Sequence, residues 1–263
     1  PNDKTVLLVV ASKCPRLRTL EVSGLELQVR DTLIRQLPEL TPMLTVLDIS
    51  ETNVTSSSLV GCIASLPLLY KLTCRECPSL FSDKNPRTLS AAAKLLLGLS
   101  KHGCLRHLDL SNNVSFTDDM WSEAVCLLKD DGGGAKVEGA SEHSNKICWT
   151  SIDISFNERI TDVSFCPLLK CLPNLKHVRM QSMSSHVTDG TLSELRHKKR
   201  LETLDISGCR DLNGDGLQEV LKACRALVEL RASGLNPRGL TSVRKMFAYI
   251  WFRFNFFFAI FIA

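Results

Sequence analysis

Cys74-Arg-Glu-Cys77 is the first place to look for chemistry, because two thiols three residues apart are half of a zinc site. Zinc needs four ligands, and neither a second pair nor matched histidines follow nearby. No metal is therefore expected. Gly132-Gly-Gly-Ala lacks the lysine and the serine or threonine that would make it a phosphate loop, so it reads as flexible chain. A serine elbow, a zinc-protease helix and paired acids in a plausible pocket are likewise missing. The expectation is a protein that is not an enzyme, with no catalytic residue and no cofactor.

Charged side chains recurring at a fixed interval carry more information. Glu21, Asp48, Thr73, Asp109, Asp153, Arg179, Asp205 and Arg231 each stand fifth in a short motif whose first, fourth and sixth residues are apolar. Leu175-Lys-His-Val178-Arg-Met180, Leu201-Glu-Thr-Leu204-Asp-Ile206 and Leu227-Val-Glu-Leu230-Arg-Ala232 begin 26 residues apart, with Trp149-Thr-Ser-Ile152-Asp-Ile154 the same distance upstream. Such self-similarity marks a solenoid, in which one unit cannot bury its apolar face and neighbours stack to make a continuous core.

Strand starts fall at Leu17, Leu44, Leu69, Leu105, Trp149, Leu175, Leu201 and Leu227, with two long steps of 36 and 44 residues. Insertions near 81–99 and 129–147 account for these. The first holds turn formers from Phe81 to Arg87, then an alanine- and leucine-rich helix over Leu89 to Leu99. The second, from Asp130 to Asn145, is small, polar and aperiodic, and reads as a mobile loop. After each strand comes a helix with apolar residues at helical spacing, such as Leu217, Val220 and Leu221. Thr117, Thr161, Thr188 and Asn213 are placed to cap these helices, and Asp118, Asp162 and Asp189 suit the helix dipole. Strand, crossover and helix in constant order predict an α/β fold: an open solenoid horseshoe of about eight units, with a parallel sheet on the concave face and helices on the convex face.

Residues 1–246 form the repeat domain. Leu7 to Cys14 aligns with the helix Leu217 to Cys224, so the chain opens in the middle of a repeat, and residues are expected before Pro1. The stretch 247–263 contains seven of the eleven phenylalanines. It is short for a bilayer span, which takes about 20 apolar residues. Arg253 would cost roughly 2.5 to 3.5 kcal/mol near the centre of one. Covering of the last repeat's apolar end, or translation of non-coding A/T-rich sequence, are the other readings of this tail.

Arg200 to Cys224, with Leu204, Ile206, Cys209, Leu212, Leu217 and Cys224, is similar to the cysteine-containing subfamily of leucine-rich repeats. Asn213 stands for the family threonine, Asn113, Asn157 and Met183 for family cysteines, and Cys104 is two positions out of phase. The resemblance runs from residue 5 to about 243. It implies the substrate-recognition region of an F-box-type ubiquitin ligase adaptor, whose ligase subunits would be reached through an F-box-like segment ahead of Pro1.

Eleven cysteines cannot all pair within the chain, and several recur at equivalent places, Cys14 with Cys224 and Cys77 with Cys209. They read as small buried hydrophobes in a reducing compartment. The sequons at Asn53 and Asn113 fall in the repeat's own turn and read as chance. An intracellular, cytoplasmic protein is expected. Nuclear entry is the alternative, through the basic run Arg196-His-Lys-Lys-Arg200, which otherwise reads as a solvated helix end.

The net charge of +4 is too small to imply nucleic acid, and no nucleic-acid or membrane partner is expected. The candidate surface is the concave face. Adjacent strands lie about 4.8 Å apart, so the fifth-position carboxylates form an acidic stripe interrupted by arginines, at a repulsion of only about 0.8 kcal/mol per neighbouring pair in water. Asp48, Asp109, Asp153, Arg179, Asp205 and Arg231, with His107, His177 and the aromatic Phe156, are the candidate binding residues for a protein or peptide with basic character. A structural or cytoskeletal scaffold, or a small-GTPase regulator acting through Arg159, are the alternatives.

Overall fold

The computed structural model describes residues 6–25, 29–82, 90–130, 147–183, 187–236, 241 and 259–261. The chain divides into two units, Pro1–Trp149 and Thr150–Ala263. In the first, helices α1 (Val6–Lys13), α2 (Asp31–Leu40), α3 (Ser56–Ala64), α4 (Ala91–Lys101) and α5 (Asp118–Asp130) alternate with strands β1 (Thr19–Glu21), β2 (Val46–Asp48), β3 (Lys71–Thr73) and β4 (His107–Asp109). In the second, β5 (Ser151–Asp153), β6 (His177–Arg179), β7 (Thr203–Asp205) and β8 (Glu229–Arg231) alternate with α6 (Asp162–Lys170), α7 (Asp189–Leu195) and α8 (Asp215–Ala223), and β9 (Ala259–Phe261) follows.

Neighbouring strands within each unit pair in parallel with no register slip. The pleat explains this regularity. The middle residue of each strand points to the core, and Leu47, Leu72, Leu108, Ile152, Val178, Leu204 and Leu230 are all buried. A one-residue slip would turn that column to solvent. Only the first repeat departs, with Leu17 and Leu20 half-buried.

Helices add a second apolar layer, as with Leu33, Ile34 and Leu37 of α2 and Leu95, Leu96 and Leu99 of α4. The enlarged repeat of the first unit is filled by rings. Phe81, read from sequence as part of a turn, is buried and stacks on Phe116 at 4.4 Å between centroids, and Phe116 meets the edge of Trp121 at 5.5 Å. The expected helix over Leu89 to Leu99 starts at Ala91, capped by the Ser90 hydroxyl, which accepts from the Ala93 amide at 3.0 Å. The expected loop of 130–145 lies almost wholly outside the described residues, as does the tail of 247–263 except for β9.

At β9 three residues of that tail lie beside β8 in the next register position, Leu230 opposite Ile260. No helix among the described residues is long and apolar enough to cross a membrane.

Candidate binding surface

Strands β1 to β8 each end on the outward residue that sequence places fifth in the motif, and where that residue is aspartate it builds the turn that follows. Oδ1 of Asp48, Asp109, Asp153 and Asp205 accepts the backbone N–H two residues on, at Ser50, Ser111, Ser155 and Ser207, at 2.9 to 3.1 Å. These are Asx turns, which give the chain a local partner as it leaves the strand. Two of the serines then take an amide of the following repeat, Ser50 Oγ from Arg75 at 3.1 Å and Ser155 Oγ from Gln181 at 2.9 Å.

One residue past the serine position the backbone turns left-handed in every repeat: Gly24, Glu51, Glu76 and Asn112 in the first unit, Phe156, Ser182, Gly208 and Gly234 in the second, with φ between 51° and 76°. Glycine takes this conformation freely, whereas a bulky residue does so at a cost. Phe156 is the bulkiest of the set, at φ 62°, and its side chain does not compensate by packing, since the residue is 45% exposed.

The fifth-position residues stand in register within each unit, but their charges combine differently from a simple acidic stripe. In the second unit the row alternates Asp153, Arg179, Asp205, Arg231. Arg179 lies 3.9 Å from Asp153, the Gln181 amide donates to Asp205 Oδ2, and Arg231 pairs with Glu229 at 2.7 Å. Asp205 is buried. In the first unit the row is Glu21, Asp48, Thr73, Asp109, and Arg75 reaches Asp109 at 3.6 Å. His107 and His177 open their strands two residues before the row. His107 Nε2 is 2.9 Å from the Tyr70 hydroxyl, and His177 Nδ1 is 3.0 Å from Thr203 Oγ1. Tyr70, 48% exposed, escaped the sequence reading because its position just ahead of the strand carries no period of its own.

A family profile for the Leucine Rich repeat matches residues 197–221, in register with the Leu201, Leu204 and Ile206 core column. The chain is built of leucine-rich repeats. Its solenoid is similar to three crystal structures. The internalin InlF of Listeria monocytogenes is 16% identical with a TM-score of 0.46, over 89% of this chain and 61% of that one. The leucine-rich repeat-containing protein LegL7 of Legionella pneumophila is 16% identical with a TM-score of 0.46, over 84% and 67%. The complex of Rad7 and Elc1 in yeast gives 15% and 0.42, over 92% and 70%. The chain thus spans less than two thirds of the internalin chain.

Two columns of side chains close the backbone between successive leucine-rich repeats. Four residues past the fifth position, where Leu25, Met183 and Leu235 are apolar, three repeats place a donor that reaches a preceding carbonyl: Cys77 Sγ donates to Ile49 O at 3.2 Å, Asn113 Nδ2 to Cys74 O at 2.8 Å, and Cys209 Sγ to Met180 O at 2.9 Å. Asn113 also accepts from the Cys77 amide at 2.9 Å, and at 2% exposure its sequon offers no acceptor for a sugar. Three residues before the strand leucine, where Leu66 and Leu172 are apolar, three other repeats place a side chain that meets a carbonyl at or near the end of the preceding repeat's helix. Cys224 Sγ donates to Leu195 O at 3.4 Å, and Lys198 Nζ to Leu169 O. His102 receives the Leu105 amide on Nδ1 at 3.1 Å, so its Nε2 carries the proton and donates to Leu66 O at 3.0 Å. Cys14 holds the same register but is exposed.

The second column corrects the reading of the basic run. Lys198 is 6% exposed, and burial lowers its pKa below the usual lysine value, while Arg196 pairs with Glu219 at 2.6 Å. Sequence held the signal, since Lys198 and His102 stand where Cys14 and Cys224 do.

All eleven cysteines are free. Burial pushes the Cys62 thiol up to about 12 and the Cys209 thiol to about 11, and raises Cys74 and Cys77 as well. Among the described residues no group of three His, Cys, Asp or Glu side chains is arranged to hold a metal.

Proposed function

We propose that the outward faces of the strands are the recognition surface of an intracellular protein-interaction module, and that the module is the substrate-binding part of an F-box-type ubiquitin ligase adaptor. The observation that carries the binding reading is Phe156, an exposed aromatic held at positive φ where other repeats place glycine or a polar residue. Strain without packing is a feature of binding sites, and an aromatic beside charged groups is an effective interface anchor. Asp153 and Arg179 on β5 and β6 supply charge on the same face and His177 a polar edge, with Asp48, Asp109 and His107 on the first unit and Arg231 on the second as further polar contacts, whereas Asp205, expected from sequence to face the partner, is buried with both oxygens engaged and supports the row from within. The partner is a protein or peptide with basic character. Its role is binding, with no bond made or broken by this chain.

The ligase role rests on the cysteine-containing form of the repeats and on the donor work those cysteines do at Cys77, Cys209 and Cys224. Placing a photo-crosslinking phenylalanine analogue at position 156 tests the surface. A discrete adduct is expected, and labelling no greater than from the same analogue at exposed Val163 overturns the reading. Reading the transcript from its start codon tests the ligase role. An F-box-like helical segment ahead of Pro1 is expected, and a start without one removes the role while leaving the binding surface.

A further inference from the structure

Three of the large apolar side chains that the fold leaves exposed gather at one place in the first unit. Met43 is 41% exposed, Leu68 41% and Tyr70 48%, and all three line a cleft of about 400 Å³ on the edge where the strands begin. Arg18 and Arg106 also line it, and among the described residues no carboxylate does. That volume is in the range of ligand pockets, and apolar surface gathered in one place and rimmed by polar groups marks an interaction site.

The strand ladder sets the order of these groups. The amides of Val46, Lys71 and His107 donate to the carbonyls of Arg18, Thr45 and Tyr70 at 2.9, 3.0 and 3.1 Å, so Arg18, Thr45, Tyr70 and Arg106 stand in one row on successive repeats. Met43 and Leu68 stand two residues ahead of Thr45 and Tyr70. The arginines therefore bracket the apolar groups at three strand spacings, roughly 14 Å along the backbone row. Tyr70 is held in place, its ring 4.8 Å from the His107 ring and its hydroxyl 2.9 Å from His107 Nε2. Arg106 Nη1 donates to the carbonyls of Gly103 and Leu105 at 2.8 and 3.0 Å, which keeps the guanidinium at its own end of the cleft. At the equivalent positions of the second unit charge is met within the chain: Lys176 pairs with Glu202 at 2.7 Å, and Arg200 donates to Asn174 Oδ1 at 3.2 Å.

We infer that this strand-entry edge docks an extended acidic segment of a partner protein, with one large apolar side chain seated against Met43, Leu68 and Tyr70 and a carboxylate meeting each arginine. Charge complementarity selects an acidic occupant, because the cleft presents two cations and no anion. Length selects a peptide. A carboxylate on Arg106 leaves Arg18 three repeats away, whereas residues four apart in an extended chain lie roughly 13 Å apart and span the row. The apolar residue then falls between them, over the ring that His107 fixes. The strand faces were given a partner of basic character, so this edge is a second contact of opposite sign and stands without that assignment.

The test uses the whole chain and the acetylated, amidated pentapeptide Glu-Ala-Phe-Ala-Glu as the probe, followed through the backbone amide resonances of Tyr70 and Arg106. Saturable shifts at millimolar peptide are expected there, with none at Lys176 and Glu202, which hold the same positions in the second unit. A peptide with alanine for its phenylalanine, or with lysine for both glutamates, should produce no saturable shift. Arg18→Glu, a charge reversal at an exposed side chain, should weaken binding at least about fivefold with the melting temperature unchanged. Leu68→Asn, which removes one apolar wall, should weaken it by a similar factor. Equal binding by either variant and the native chain, equal binding of the lysine peptide, shifts of one size in both units, or no saturation at all overturns the inference. Crosslinking at position 156 reports on the strand face alone, so a failure there and a failure here are told apart.

Discussion

Asp162, in the first turn of α6, accepts both the backbone N–H and the hydroxyl of Thr188, the residue that caps the helix of the next repeat. The carboxylate also takes the Thr191 hydroxyl at 2.6 Å. Charge near a helix start was foreseen from sequence as a dipole effect. Its larger role is to bind one helix to the following one. Asp31 does the same for α3, with Thr55 and Ser58, and Asp189 for α8, accepting from the Asn213 amide at 3.0 Å. Replacing Asp162 with alanine should cost about 1.5 to 3 kcal/mol, the range for hydrogen bonds to a charged group. Urea unfolding followed by circular dichroism should show a lower midpoint with the slope retained.

The Asp31 carboxyl gives this contact a pH signature. Burial pushes its pKa up, but hydrogen bonds from the Thr55 side chain and backbone and from Ser58, together with the Arg35 charge, outweigh burial and leave it below the usual 3.8. A lowered folded pKa means that the unfolded chain binds the proton more tightly. The stabilisation is therefore complete above 3.8 and is lost as pH falls through the lowered folded value. Asp31→Asn should be less stable than the native chain at neutral pH, and the gap should close in acid. A gap that stays constant from pH 7 to pH 2 would contradict the assignment.

Gly208 and Ser182 meet across two repeats in their left-handed turns. A Cβ on Gly208 would lie 2.7 Å from Ser182 Oγ, at a φ of 76° that already disfavours a side chain. Gly208→Ala should destabilise by about 2 kcal/mol, at least 1 of it from the backbone. Ser182→Gly relieves its own φ of 51° and should stabilise by about 1 kcal/mol. The double variant should be more stable than the sum of the singles, because the serine hydroxyl that blocks the new methyl is gone. Thermal melts of the four proteins decide it.

Phe156→Gly should separate stability from binding. Relief of the positive φ is expected to raise stability by about 1 kcal/mol, while capture of the partner falls at least tenfold. A variant that loses stability would show that the ring packs in the folded state and is no anchor.

The strand column and its 26-residue period were open to reading because burial of one face imposes a periodic code, and Leu204 or Val178 could hardly be assigned otherwise. The row of Asp48, Asp109, Asp153 and Asp205 was equally visible. Its work in the turns was not, because an Asx turn depends on which way the next two residues bend. The helix cap at α8 is Gly214 in the left-handed region, with Asn213 one residue too early to serve. Periodicity ran out at Phe81, whose neighbours suggested a turn while its ring found Phe116.

Lys198 lends the basic corner a character its letters conceal. An amine whose proton donor is already engaged by the Leu169 carbonyl, and which solvent barely touches, is withdrawn from enzymes and reagents that need a reachable nucleophile. Acetylating reagents should label Lys199 and pass over its neighbour, and trypsin should cut after Arg200 long before it cuts after Lys198. An import receptor scanning this run on the folded protein would find it interrupted in the middle, so any traffic signal here becomes legible only when the repeat opens.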